Sequence, residues 1–451
     1  MSQMKIAYIA AGAGGMYCGN CLHDNTLARA LLDEGHDVLL IPTYTPLKTD
    51  EVNVSMDRVF FGGINVYLQQ KSALFRHTPW FLDGLLDSPR MLDWAVQRGM
   101  SMQAEDLGAL TVSMLQGEDG KQRKELDKLI EWLKKDVRPD VVHLSNILLA
   151  GMARRIRDEL NVPVVCTLSG EDLFLDELTE PHASQARDLL REKIGDLDAL
   201  VALNQYYADH MAKYLSADED RIHVIPHGLD LTGHDDQTRT RDDDEFVLGY
   251  LARIAPEKGL HLLVEAFKLL SAEESTPKLR LKAAGYLGPS NREYLDGIET
   301  HLREAGLSDS FEYVGEVDRP TKIAFLQSLD CLSMPTIYQE SKGLPVLEAM
   351  ANGVPVVVPD HGAFPEIIKD AGGGLLCEPE NPRGLADAIK RYMVDCDLAQ
   401  SHGEAGRQAI HDRYTSQLMA ERTLALYRRL SGAPAKPVVA PEPCAAEDPS
   451  T

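Results

Sequence analysis

No uninterrupted apolar run in the 451 residues reaches the ~20 residues a membrane-crossing helix needs. The opening Met1-Ser2-Gln3-Met4-Lys5-Ile6 runs straight into a strand pattern without the layout of a signal peptide, so a cytoplasmic location is expected. Positive charge is scarce as well. Lys and Arg number 46 against 70 Asp and Glu, a formal net charge of −24. Such a surface repels nucleic acid and anionic lipid, so neither is expected as a partner, and membrane association is not supported. An anionic ligand would need a local, focused group of cations. Individual Arg and Lys residues therefore say more than the total.

Cysteine is sparse: seven residues, an odd number, widely scattered. That fits reduced thiols rather than a disulfide framework. Cys18-Gly19-Asn20-Cys21 followed by His23 has the outline of a metal or redox motif. No second CxxC or His pair accompanies it, and structural zinc takes four ligands. A pair of buried thiols beside a glycine-rich turn is the expectation, with no metal and no cofactor required.

What the chain does contain is a strand–helix alternation over most of its length. Apolar strand patterns lie at Lys5–Ala10, Asp37–Ile41, Asp140–Leu144, Pro163–Leu168 and Ala199–Leu203. A helix is expected over Leu22–Glu34, closed by Gly35. The strand patterns are nearly continuous in hydrophobicity rather than alternating, as in parallel sheets covered on both faces. Met56–Ser113 is less regular and has no clear placement. A polar, acidic stretch, Thr232–Glu245, then reads as a solvated linker.

The alternation restarts beyond it, with strands at Phe246–Leu251, Leu279–Ala284, Phe311–Val314, Cys331–Met334 and Pro355–Val358. Helices are expected at Leu260–Ser271, Arg292–Ala305, Leu344–Ala351, Leu385–Val394 and Ser416–Leu430, with a disordered Pro/Ala-rich tail over 431–451. The fold class is therefore α/β: two doubly wound, Rossmann-like domains, 1–230 and 231–415, facing a central cleft. Ligands of open α/β sheets bind beyond the carboxyl ends of the strands, so the loops there carry the candidate chemistry.

The first such loop, Ala10 to Gly19, is rich in glycine, which lets backbone N–H groups approach a phosphate. A dinucleotide site would call for a carboxylate at the end of the second strand. That strand ends Leu40-Ile41-Pro42-Thr43, which speaks against NAD(P). In the second half, Arg253 follows a strand and Lys258 stands at the mouth of a helix. A guanidinium fork and an ammonium beside a helix N-terminus suit a diphosphate, although two surface cations would read the same way in isolation.

The most informative segment runs from Pro335 to Val358. Glu340 falls on a loop, and Glu348 lies one turn inside a helix that starts near Leu344 with Pro345 in its first turn. The free N–H groups near Gly343 and Leu344 offer an anion site. A carboxylate that accepts from two adjacent hydroxyls is a way to hold a ribose or a sugar.

These blocks together resemble a retaining glycosyltransferase of family 4, the GT-B "glycosyl transferases group 1". The likeness is carried by Leu27-Ala28-Arg29-Ala30-Leu31, Gly35-His36-Asp37-Val38, Asp140-Val141-Val142-His143, Val224-Ile225-Pro226-His227-Gly228-Leu229-Asp230, Arg253 with Lys258-Gly259, Tyr313-Val314-Gly315, the Glu340 to Glu348 block and Pro355-Val356-Val357. The resemblance implies a transfer from a nucleoside-diphosphate sugar, UDP being the commonest, to a hydroxyl acceptor, with retained anomeric configuration and no required metal. It implies that Arg253 and Lys258 hold the diphosphate and that Glu340 supports the reacting centre. Glu348 would bind ribose, Gly14 and Gly15 would approach the diphosphate from the other domain, and the helix 416–430 would cross back onto the first domain.

Three positions depart from the family pattern. Gly14-Gly15 falls four residues early, with Gly19 at the usual distance. Lys342 stands where an aromatic is common. Ser169 stands where many members carry a His near the reacting sugar, with Glu171 and Asp172 nearby as substitutes on the acceptor side. A non-catalytic nucleotide-sugar binder is the alternative reading that Ser169 permits.

Overall fold

The computed structural model describes residues 3–12, 18–57, 59–61, 66, 69–70, 104–234, 245–273 and 277–432. Within them the chain builds two six-stranded, all-parallel sheets. The first contains β1 (Lys5–Ala10), β2 (Asp37–Pro42), β3 (Val141–Leu144), β4 (Val164–Thr167), β5 (Ala199–Ala202) and β6 (Ile222–Val224). Its order is β2-β1-β3-β4-β5-β6. The second contains β7 (Glu245–Leu251), β8 (Lys278–Ala284), β9 (Phe311–Gly315), β10 (Cys331–Ser333), β11 (Val356–Pro359) and β12 (Gly374–Cys377), in the order β12-β11-β10-β7-β8-β9.

The interior strands β3, β4 and β5 are buried at every residue. Parallel strands joined by helical crossovers are covered on both faces, which is why their sequences lack alternation. Each sheet reverses its winding once, between β1 and β3 in the first and between β7 and β10 in the second. At such a reversal the adjacent crossovers run to opposite faces and leave a crevice at the strand ends. The loops after β1, β7 and β10 therefore open onto the cleft.

The helix expected from Leu22 begins three residues earlier, at Gly19, and ends at Asp33. The segment expected to be irregular contains the helix Ala104–Leu115; residues 71–103 lie outside the described set, as do 433–451 of the tail and 235–244 of the linker. The helix Ser416–Leu430 packs on the first sheet, where Met419, Ala420, Leu424 and Tyr427 join a core with Ile6, Tyr8 and Leu27. The chain passes between the two sheets twice, and the passages touch: Leu229 N–H donates to Tyr414 O at 2.7 Å and Ser416 N–H to Leu229 O at 2.9 Å.

Candidate active site

The cleft holds a cavity of about 610 Å³ between the strand ends of the two sheets. Its second-domain wall begins with the turn after β7. Gly259 caps the helix Leu260–Ser271 with φ of +78°, a conformation that L side chains disfavour. A Cβ there would lie 1.8 Å from Pro335 O. The close approach brings Lys258 against the loop after β10. Lys258 Nζ donates to Glu340 Oε2 at 2.9 Å and also contacts the Tyr338 hydroxyl, which donates to the same carboxylate oxygen at 2.7 Å. Lys342 N–H donates to Glu340 Oε1 at 3.2 Å.

Glu340 is buried, and burial alone would raise its pKa. The Lys258 ammonium outweighs that, with Lys342 and the Tyr338 hydroxyl adding to it, and holds the carboxyl down at about 2. It is therefore an anion at any working pH. Arg253 lines the same cavity with its side chain about half exposed (48%), and its Nη2 donates to Glu257 Oε1 at 2.6 Å. Arg253, Lys258 and Glu340 thus line one cavity, Lys258 paired with Glu340 and Arg253 with Glu257.

Gly343 caps the helix Leu344–Ala351 with φ of +70°, so Leu344 and Pro345 start the helix at the cavity's edge. Glu348 also lines the cavity, and its carboxylate already has a partner that the sequence did not reveal. Lys322, from the helix Arg319–Gln327, donates to Glu348 Oε1 and lies 2.5 Å from Asp50 Oδ2 of the first domain. Burial lowers the pKa of Lys322, but the two carboxylates overcome it and raise the value overall. Glu348 therefore meets any ligand as one end of a buried Asp50–Lys322–Glu348 triad rather than as a free carboxylate.

On the opposite wall Ser169 faces the cavity, and its carbonyl accepts from Lys342 Nζ at 2.5 Å. Its hydroxyl donates to Glu171 Oε1 at 2.9 Å and accepts from Asn20 Nδ2 at 3.1 Å. Glu171 behaves differently from the acceptor-side expectation. It turns inward and accepts from Ser169 N–H at 2.7 Å and from Ile147 N–H at 3.2 Å, so its oxygens tie two loops together and do not line the cavity. Asp172 is likewise engaged, with His210 Nε2 at 2.9 Å and the Tyr207 hydroxyl at 2.7 Å. Gly14 and Gly15 lie outside the described residues, whereas Gly19 lines the cavity.

The two sheets are joined across the cleft by several direct contacts. Asn204 Nδ2 donates to Ser341 O at 2.6 Å, and Glu366 accepts from Gln205 N–H at 2.9 Å and Tyr206 N–H at 2.8 Å. The last pair places a carboxylate of one domain on the helix N-terminus of the other, where the dipole favours it.

Family models agree with this layout. Residues 234–409 match the description "Glycosyl transferases group 1" and residues 117–232 match "Glycosyltransferase Family 4". The chain belongs to the family 4, group 1 glycosyltransferases.

This glycosyltransferase is 29% identical over 311 residues to a D-inositol 3-phosphate glycosyltransferase of Jonesia denitrificans, covering 64% of this chain and 72% of that one. It is 24% identical over 408 residues to a glycogen synthase of Mycobacterium tuberculosis, covering 90% and 89%. Its GT-B fold matches a sucrose-phosphate synthase from Thermosynechococcus elongatus with a TM-score of 0.67 at 18% identity, over 95% of this chain and 99% of that one. Anabaena HepE, solved in complex with UDP, gives 0.67 at 15% identity over 95% and 100%. No helix of the glycosyltransferase among the described residues is long and apolar enough to cross a membrane. Nor do those residues group three or more His, Cys, Asp or Glu side chains into a cluster able to hold a metal ion.

Proposed function

We propose that the protein moves a sugar, with retention of anomeric configuration, from a nucleoside-diphosphate sugar to a hydroxyl acceptor, and that the nucleotide is UDP. The observation that carries this reading is the Lys258–Glu340–Tyr338 cluster beside Arg253, at the winding reversal of the second sheet. On this reading Arg253 and Lys258 neutralise the charge that develops on the departing diphosphate, and Glu340, ionised, faces a positively charged sugar centre. Cation-to-phosphate stabilisation of this kind calls for no metal. The Asp50–Lys322–Glu348 triad stands beside the start of the helix Leu344–Ala351, where the ribose hydroxyls would meet Glu348 and Lys322 would accompany it. The UDP choice draws on HepE, whose structures carry UDP and UDP-glucose.

Calorimetric titration with UDP, GDP, ADP and NAD tests the reading. UDP is expected to bind, and Glu348→Ala to weaken that binding. Binding of NAD alone would overturn the assignment, and preferential binding of GDP or ADP would replace the base.

A further inference from the structure

The CxxC segment is left unused by the reaction just described, yet it sits in the wall of the same cavity. Cys18 is the N-cap residue of the fifteen-residue helix Gly19–Asp33, and Cys21 is in its first turn. Both thiols are free, Cys18 partly exposed at the cavity and Cys21 buried. Residues three apart on a helix have Cβ atoms ~5–6 Å apart and a disulfide needs ~3.5–4.5 Å, so an N-cap residue, free of the helical turn, and a residue of the first turn can be bridged by a local shift of about 1–2 Å. The next residue, Gly19, packs on the catalytic loop: a Cβ there would lie 3.1 Å from Leu344 Cδ1 and 4.0 Å from Lys342 Cδ.

The electrostatics of the pair is unequal. The Cys21 thiol donates to Cys18 sulfur, and this bond, with help from the Lys342 ammonium and the N–H groups of Asn20 and Cys21, brings Cys18 down to about 5 against the opposing effect of burial. Cys21, as the donor in that bond and itself buried, is pushed up. Asp24, one turn further along, has Cys18 as a near charge and accepts from the Tyr8 hydroxyl at 2.8 Å, and burial holds its own carboxyl well above the usual range. A partly exposed cysteine at the cavity wall with a buried cysteine three residues on is an arrangement suited to thiol–disulfide exchange.

We propose that Cys18 and Cys21 are a redox-active dithiol in the wall of the cleft, that the pair takes a small disulfide as its oxidant, and that closing the bridge slows glycosyl transfer. The Cys18 thiolate attacks one sulfur of the small disulfide. A Cys18–sulfur bond forms, the reagent's own S–S bond breaks, and one thiolate leaves and takes the proton of Cys21. Cys21 sulfur then attacks Cys18 Sγ and expels the second thiolate. The protein loses two electrons, and the reagent is reduced to its two thiol halves. Closure removes the anion that faces Lys342, the residue whose N–H is bonded to Glu340 and whose Nζ is bonded to Ser169 O across the cleft. The effect on transfer rests on the proposed function, while the dithiol chemistry does not.

The full chain in a Cys396→Ser, Cys444→Ser background, treated with hydroxyethyl disulfide, separates the two. Intact mass is expected to fall by two hydrogens with no adduct retained. Cys21→Ser and Cys21→Ala should instead keep one hydroxyethyl-thiol adduct on Cys18, and Cys18→Ser should give neither product. Absence of the internal bridge, or an adduct at Cys21 in place of Cys18, would overturn the dithiol. Transfer by the oxidised protein is expected to be slower by about 5-fold, as for the loss of one modest charge interaction, and to return with dithiothreitol. Equal rates in the two states would overturn the coupling. If the reduced protein transferred from no nucleotide sugar, the transferase reading and the coupling would fall together, and the mass result would still decide the dithiol.

Discussion

At the residue scale the decisive group is Glu340. Its two oxygens are held by Lys258 Nζ, the Tyr338 hydroxyl and Lys342 N–H, and the carboxyl is depressed to about 2. A depressed carboxyl contributes stability that is fully present above the unfolded value and is lost only as pH falls toward the folded one. The Glu340→Gln variant should therefore show the same loss of unfolding free energy at about pH 8 and about pH 5, both above the ordinary Glu range. Its kcat should fall by ~10²–10³-fold, as when a preorganised charge-stabilising group is removed. Urea titration at the two pH values and initial-rate measurements check both; a loss of stability that halves between them would mean that the carboxyl is not held down.

Glu340 stood out in the chain through its spacing from Glu348 around a helix start, whereas Lys258 stood out only through the family resemblance, because a cation before a helix start reads as a surface charge in isolation. Lys322 and Asp50 could not. Asp318 and Pro320 mark the start of a helix around Lys322, but only its burial between two carboxylates gives it a role, and those carboxylates come from opposite sides of the cleft. Glu171 makes a related point, since a carboxylate near the right loop can turn inward and satisfy backbone donors.

At the scale of elements, the two helix starts at the site depend on glycines in a left-handed conformation. Gly343→Ala would bring a Cβ to 2.6 Å from Ile367 Cδ1, the movable end of a side chain, while Gly259→Ala would set one 1.8 Å from the Pro335 carbonyl. Each pays the cost of the positive φ, ~1–3 kcal/mol for such backbone strain. Gly259→Ala must in addition displace backbone, so it should be the more destabilising of the two and should also weaken nucleotide binding more. Paired denaturation and calorimetry on the two variants test the ranking, which a larger loss in Gly343→Ala would contradict. Most of the central strands were readable from their unbroken apolar character. The edge strands β6 and β12 were not, because three or four residues, partly exposed, carry too little pattern.

At the scale of the molecule, Glu366 holds the two domains together through the helix N-terminus at Gln205 and Tyr206. Glu366→Ala should populate more open forms, seen as a larger radius of gyration in X-ray scattering and a raised KM for the donor. An unchanged scattering profile would show that the other cross-cleft contacts suffice. Acid should weaken the whole structure by a separate route. Burial lowers His23 and His143 to about 3, so both are neutral in the folded protein. His143 Nδ1 lies 2.5 Å from the Tyr427 hydroxyl of the C-terminal helix, and His23 Nδ1 lies 2.8 Å from His227 Nδ1. In the unfolded chain these imidazoles take up protons near pH 6.5, so the unfolded state binds more protons as pH falls from there toward about 3. Unfolding free energy should drop over that window, and a His143→Gln variant should show a shallower slope; an identical slope would remove His143 from the account.

The local pattern of the chain determined the strand–helix alternation, the parallel sheets, the two-domain layout and the glycine-led helix starts. Each follows from interactions between residues near in sequence or from the burial demanded by one strand. Tertiary structure alone decided the winding reversals that open the cleft and the triad joining Asp50, Lys322 and Glu348, while the helix Ser416–Leu430, whose return the resemblance implies, packs on the first sheet. Those features bring together groups far apart in the chain, 298 residues for the two carboxylates Asp50 and Glu348 that Lys322 joins, and whether a charge ends up exposed or buried beside its partner is set by that pairing.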